Sequence, residues 1–258
     1  MGDGGAAAIS SARDGWIPKW ARPVHSKQNG SHAEADLNAM NFYSSLPQNF
    51  ESSFSARAGE ALQKLRAGNL RHVEGRLVAD VSEQRRKKLL EGQFPMATVL
   101  TCSDSRVVAE YIFDQSPGSL FVVKTAGAVL DDIVLASIEF GVAHLNTPLL
   151  VVLGHTRCGA VRSAVSNATV AGHLPLLIHQ IQPALTVCKE FLHESVEELE
   201  LDVARENTLE IAERLPAMSA PIQSAVEDGR VNLLGAMYDL ATGAVDFSMT
   251  QKSHLRTA

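Results

Sequence analysis

Two short stretches bring together thiols, an imidazole, a carboxylate and a guanidinium: TCSDSR at 101–106 and GHTRCGA at 154–160. Each follows an apolar run that reads as a buried strand, ATVLT at 97–101 and LLVVL at 149–153. In an open α/β sheet, side chains at the carboxyl ends of the strands gather in one crevice. Cys102 and His155, 53 positions apart, therefore converge if their strands lie close in the sheet. Cys158 stands three residues after His155, a spacing at which one loop supplies two metal ligands. It also opens a predicted helix, where free N–H groups and the helix dipole favour a thiolate. Two thiolates and one imidazole form a soft donor set suited to Zn2+. Three protein ligands leave a fourth tetrahedral position for water, the layout of a catalytic centre rather than a closed structural one.

Charge bookkeeping gives the neighbouring pair a role. Two thiolates formally neutralise the dication, so water on it is harder to ionise than on a metal held by neutral histidines. Asp104 and Arg106 follow Cys102 closely and supply help as an ion pair. Arg106 fixes the carboxylate, and the carboxylate accepts a hydrogen bond from the bound water or hydroxide. The third cysteine, Cys188, lies in an amphipathic run (LTVCKEFL) and reads as core. Of the nine histidines only His155 has a motif around it; His144, His173 and His179 carry no assignable role.

The elements that must position these residues alternate in type. Helical patterns are predicted at 55–73, with Ala58, Leu62, Leu65 and Leu70 as an apolar stripe, and at 82–90, where an RRKK cluster reads as a solvated face. Strands are predicted at 97–101, 120–124 and 149–153, with helices at 131–145 and 158–165 between and after them. Further helices follow at 179–192, 196–215 and 221–227, and a hairpin closes the chain: 231–238, a turn at 239–243, then 244–248. Strand alternating with helix is the pattern of a mostly parallel sheet flanked by helices. Residues 1–50 lack sustained periodicity and read as a flexible extension, with one short helix near 33–42. The expected layout is that extension followed by one α/β unit over 51–258.

Composition excludes several classes. With 258 residues, 45% hydrophobic and 20% charged, the chain is long enough to bury a core without disulfides. A net charge of −6 without a basic block argues against nucleic acid as partner, and no apolar run is long enough to span a bilayer. Three cysteines make no secreted disulfide framework and favour a reducing compartment. The apolar stretch at 4–9 is too short for a signal sequence; four cations against one acid at 13–27 faintly resemble a transit peptide. A cytoplasmic location is the expectation, with an organelle as the alternative.

Taken together, C-S-D-S-R followed some fifty residues later by G-H-x-x-C-G resembles the β-carbonic anhydrase family. The likeness extends through IFDQSPGSLFVVKTAG, SIEFGVAHLNTPLLVVLGH and GAMYDLATGAV, covering about 62–247. It implies a Rossmann-like α/β domain with a helical N-terminal arm whose helices embrace a second subunit, as a homodimer or dimer-based tetramer. It implies reversible hydration of carbon dioxide to bicarbonate and a proton by attack of zinc-bound hydroxide, with one Zn2+ per subunit. By matching position, Cys102, His155 and Cys158 resemble the family's zinc ligands, and Asp104 with Arg106 its catalytic dyad. Gln93 resembles a glutamine that positions substrate from the neighbouring subunit. Phe121 and Phe140 resemble aromatics lining the substrate pocket, and Gly159 a glycine whose backbone lies beside the site. Two departures stand out. Lys124-Thr125-Ala126-Gly127 replaces the R-N-A-G of many relatives, and Val99 stands where some members carry a tryptophan. The second favours a site with water on zinc over one where Asp104 closes onto the metal. Carbon disulfide or carbonyl sulfide, used by some relatives, is the rival substrate class.

Overall fold

The computed structural model describes residues 54–249, so the extension over 1–50 and its short helix lie outside the described residues. Helix α1 (Ala56–Val73) starts at Ser55, whose hydroxyl accepts from the Ala58 N–H. It buries Ala58, Ala61, Leu62 and Leu65. The last place on that face belongs to Asn69, not Leu70: Asn69 is fully buried, while Leu70 is 37% exposed. Helical spacing explains the correction, since 58, 62, 65 and 69 follow the i, i+4, i+7, i+11 rhythm. Asn69 survives burial because it donates to the carbonyls of Ile112 and Gly243 and accepts from the Val245 N–H.

Helix α2 (Glu83–Lys88), capped by Ser82, runs into a 3-10 turn at Leu89–Glu91 and buries none of its residues, so the RRKK cluster does face solvent. Strand β1 (Ala97–Cys102) is buried along its whole length. After the short α3 (Ala109–Ile112) come β2 (Leu120–Thr125) and α4 (Asp132–Glu139). The helix expected to continue to 145 instead widens into a π turn at Phe140–His144. Gly141 sits so close to the sheet that a Cβ there would come within 2.2 Å of Thr98 Oγ1. Its carbonyl is taken by the N–H and hydroxyl of Thr147, which diverts the α-helical ladder.

Strand β3 (Leu149–His155) leads to α5 (Gly159–Val165), then α6 (Leu174–Cys188), α7 (Val196–Met218) and α8 (Ala220–Glu227). Helix α6 begins five residues before the expected 179 and ends before 192. Pro175 sits in its first turn, where a missing N–H costs nothing. Strands β4 (Asn232–Tyr238) and β5 (Val245–Asp246) form the expected hairpin.

The five strands stand in the order β2-β1-β3-β4-β5, parallel except for β5. Both faces are covered. Val99, Leu149, Val151 and Leu153 pack on the α1 side, while Leu100, Leu150 and Val152 pack against α4, α7 and α8. That two-sided burial is why these strands read as unbroken apolar runs. The chain leaves β1 for β2 on one side and returns to β3 on the other, so strand order reverses between β1 and β3. A crevice must open there at the carboxyl ends.

Candidate metal centre

Cys102 ends β1 and His155 ends β3, and the two strands are direct neighbours in the sheet. Cys158 caps α5, one turn of chain beyond His155. The ligand atoms of the three all lie within 4.8 Å of one another, with the two sulfurs 4.0 Å apart. Among the described residues no fourth His, Cys, Asp or Glu joins this group. All three are buried.

The imidazole is aimed by its backbone. His155 Nδ1 lies 2.9 Å from the Thr156 carbonyl, which can only accept, so Nδ1 carries the proton. Nε2 is then a bare lone pair, and it is buried without a hydrogen-bond partner. Thr156 is itself fixed by β4: its N–H donates to the Tyr238 carbonyl and its hydroxyl accepts from the Leu240 N–H. Gly154, just before the histidine, has to be glycine. A Cβ there would come within 2.1 Å of Thr208 Oγ1 on α7.

Backbone donors favour charge on sulfur. The N–H groups of Gly127 and Asp104 reach Cys102 Sγ at 3.2 Å and 3.4 Å. The two sulfurs, 4.0 Å apart, shift each other's acidity in opposite directions. The Cys158 thiol bonds to Cys102, and this, with the adjacent His155 and the two N–H groups, outweighs burial and lowers Cys102 to about 4. The same bond to Cys102, reinforced by burial, raises Cys158. Cys188 is unlike either. Fully buried and free, it is pushed up to about 12 by desolvation, with Glu206 and Asp202 adding to the effect.

Arg106 grips Asp104 as a fork: Nε to Oδ1 at 2.9 Å and Nη2 to Oδ2 at 2.7 Å, with the Arg106 backbone N–H also on Oδ1. That guanidinium holds the Asp104 carboxyl down at about 2. The same Nη2 reaches the carbonyl of Arg157, which has a left-handed φ of 57°, so Arg106 stitches the two motifs together. Lys124 adds a third strut, donating to the Val107 carbonyl at 2.6 Å from the β2 side.

Of the remaining candidates, only Gly159 adjoins the cluster. Gly159 follows Cys158 directly and has open space on its Cα. Phe121 and Phe140 contact each other, ring centroids 5.8 Å apart, but Phe121 pairs with Thr98 while Cys102 pairs with Thr125. Four residues of strand place the aromatic pair about 13 Å back along the sheet. Gln93 is exposed and precedes β1, at the end opposite Cys102. The structure thus brings together the three ligand-type residues and the Asp104–Arg106 pair; Gln93, Phe121 and Phe140 are outside that cluster.

Three neighbours of the cluster were not picked out from the sequence: Gly127, Lys124 as a strut, and Asn207, whose side chain donates to the Gly127 carbonyl. Asn207 had a signal, standing between Val203 and Ile211 on an apolar helical face.

Residues 97–245 match the carbonic anhydrase family model. A carbonic anhydrase of Mycolicibacterium smegmatis is 37% identical over 200 residues, covering 76% of this chain and 93% of that protein. Carbonic anhydrase 2 of Mycobacterium tuberculosis is 38% identical over 188 residues, covering 71% and 89%. Among solved structures, a tetrameric β-carbonic anhydrase of Sordaria macrospora is similar with a TM-score of 0.57 and 27% identity, over 62% of this chain and 83% of that one. The β-carbonic anhydrase CafA of Aspergillus fumigatus gives 0.54 and 30%, over 63% and 81%. With the Cys-His-Cys cluster at the strand-order reversal of a parallel sheet, these matches establish that the chain is an enzyme of the β-carbonic anhydrase family.

Proposed function

We propose that this enzyme carries out the zinc-dependent, reversible hydration of carbon dioxide to bicarbonate and a proton, with one Zn2+ per subunit held by Cys102 Sγ, His155 Nε2 and Cys158 Sγ. The observation that carries this reading is the buried, partnerless Nε2 beside two sulfurs, all within 4.8 Å of one another. A lone pair left dry and unbonded is costly unless a cation meets it, and an S₂N set fits zinc. When bound, zinc supplies the Lewis acidity that makes a nucleophile from water near neutral pH.

The chain's own groups do the rest. Asp104 offers carboxylate oxygen as the acceptor that orients the attacking group and holds its proton. Arg106 occupies both carboxylate oxygens, so Asp104 is kept ionised and away from the metal position. Gly159, the first residue of α5 directly after Cys158, is open on its Cα, since nothing lies within 4 Å of a Cβ built there.

Carbon dioxide is apolar and needs an apolar wall. We assign that wall to Phe121 and Phe140, with Gln93 as the polar guide, acting in the site of a second subunit of a homodimer or dimer-based tetramer. Their distance from this chain's own cluster supports the assignment, as do Phe94 and Leu90, neighbours of Gln93 in sequence that are 90% and 83% exposed. The tetrameric relatives from Sordaria macrospora point the same way. No described helix is long and apolar enough to cross a membrane, and three free cysteines support a reducing, cytoplasmic setting.

The test is stopped-flow carbon dioxide hydration on protein of measured zinc content, with Asp104→Asn alongside. Wild type is expected to turn over in proportion to zinc. Asp104→Asn is expected to keep its zinc and lose roughly 100-fold or more in kcat, the scale of a general acid–base contribution. Zinc-replete wild type without hydration activity would overturn the reading, and full activity in Asp104→Asn would remove the dyad from it.

A further inference from the structure

Behind the Cys102 sulfur runs a chain of two hydrogen bonds that ends on a helix. The Gly127 N–H donates to Cys102 Sγ at 3.2 Å, and the Gly127 carbonyl accepts from Asn207 Nδ2 at 3.1 Å, across 80 residues of sequence. Resting on the assignment of Cys102, His155 and Cys158 as zinc ligands, we propose that Asn207 is a positioning residue for the metal centre, locking the Gly127 turn so that its N–H stays aimed at the Cys102 sulfur.

The backbone explains why a lock is needed. Gly127 is left-handed at φ 69° and ψ 9°, and Ala128 follows it, also left-handed at φ 56°. Two consecutive left-handed residues are uncommon, and the second carries a Cβ that disfavours the conformation. The peptide between them, which carries the Gly127 carbonyl, is therefore biased to swing back, and rotation there displaces the Gly127 Cα and with it the preceding peptide, whose N–H meets the sulfur. Asn207 holds that peptide by its carbonyl. The turn is also packed tightly: a Cβ on Gly127 would lie 3.1 Å from Ile181 Cδ1 and 3.2 Å from the Ala160 Cβ, so a side chain there would push its neighbours besides straining the left-handed φ.

The sequence position of Asn207 agrees. It sits mid-way along α7, 5% exposed, with Val203 and Ile211 one turn to either side in the core. A polar amide on such a face is retained where its hydrogen bond serves something. What it serves here is the electron density on a ligand sulfur. An N–H bond to a thiolate draws charge from it, and outer partners of this kind tune both affinity and the electronic character of the metal–sulfur bond. Asn207 touches neither metal nor substrate; its effect passes through Gly127.

The experiment compares wild type, Asn207→Asp and Asn69→Leu, each stripped of metal and reloaded with Co2+ alone. Asn207→Asp keeps the shape and removes the donor. Asn69→Leu breaks a buried amide network remote from the cluster and controls for simple destabilisation. Expected is one Co2+ per chain in all three. In Asn207→Asp the thiolate-to-cobalt charge-transfer bands shift and cobalt is lost to a chelator roughly 10–100-fold faster, the usual scale for an outer-shell partner. Asn69→Leu lowers Tm but keeps the wild-type bands and rate. If the new carboxylate prevents folding, Asn207→Ser, too short to reach Gly127, is expected to show the same shift and faster loss. Wild-type bands and wild-type release in the Asn207 variant that folds would overturn the positioning role alone. Wild-type protein binding no Co2+ through thiolate would overturn the ligand assignment, and this inference with it.

Discussion

Two buried anion sites sit at opposite ends of the sheet, and they are completed differently. Before β2, the Asp114 carboxylate accepts from the N–H groups of Val78 and Ala79 and from Arg71 Nε, so the fold supplies both the donors and a cation. After β1, the Cys102 sulfur likewise accepts two backbone N–H groups, but no guanidinium or ammonium among the described residues closes on it, because Arg106 is committed to Asp104. The first site is a staple: it ties α1 to the segment before α2 and is finished when the chain folds. The second is left one cation short. An anion pocket that the chain neutralises by itself is structural; one that it prepares and does not neutralise is waiting for an ion.

The comparison breaks most severely at the unfinished site. Cys102→Ser and His155→Ala are each expected to lose zinc altogether, with hydration falling to the buffer background, measured by metal analysis beside stopped-flow assay; zinc retained in either would reopen the ligand assignment. At the finished site the expected loss is of stability. Asp114→Ala leaves Arg71 and two N–H groups without their acceptor and is expected to cost about 3 kcal/mol by urea unfolding, with zinc content unchanged in the folded protein. Its pH dependence has a definite sign. Burial alone would raise the Asp114 carboxyl, but Arg71 and the two N–H groups prevail and lower it. Its contribution is therefore full above the ordinary carboxylate pKa of about 4 and disappears as pH falls through the lowered value. The stability gap between wild type and Asp114→Ala is expected to close in acid; a gap constant from neutral pH to pH 3 would count against the account.

Subtler tests sharpen the contrast. If Gln93 serves a neighbouring subunit, Gln93→Ala is expected to keep zinc and lose about tenfold in kcat/KM, the worth of a hydrogen bond to substrate. Mixed and reassembled with Asp104→Asn, it is expected to regain activity above the mean of the two parents, because one intact site forms per mixed dimer. Activity equal to that mean would rule out Gln93 serving the neighbouring subunit. The smallest effect is expected at Cys188. Cys188→Ala should leave zinc and turnover within about twofold and cost about 1 kcal/mol, and in metal-free protein an alkylating reagent should label Cys102 in preference to Cys188.

Much of this was legible in the residues. Apolar runs at 97 and 149 marked two central strands because each is covered on both faces, and the run at 120 marked the half-buried edge strand beside them. Cys102, His155 and Cys158 stood out because rare residue types followed two of those runs at chelating distance in sequence. What stayed hidden depended on contacts between distant segments. Nothing local in FGVAH announces that Gly141 will press against Thr98 and widen the helix, or that Asn69 rather than Leu70 will meet the carbonyls of Ile112 and Gly243. Helix α6 starts before 179 because Pro175 sits in its first turn, where a ring without an N–H opens a helix. Gln93, Phe121 and Phe140 came from resemblance alone, and one chain by itself leaves them far from the cluster.

The missing side chain at position 154 has a bearing on how this enzyme responds to heat. Helix α7 rests on the strand bearing His155 through Thr208, with no slack for even a methyl group between them. A rider seated that closely cannot loosen without uncovering Cys102, His155 and Cys158 beneath. Warming is thus expected to release metal and dislodge the helix in one step, so that zinc escape reads out the seating of a 23-residue segment.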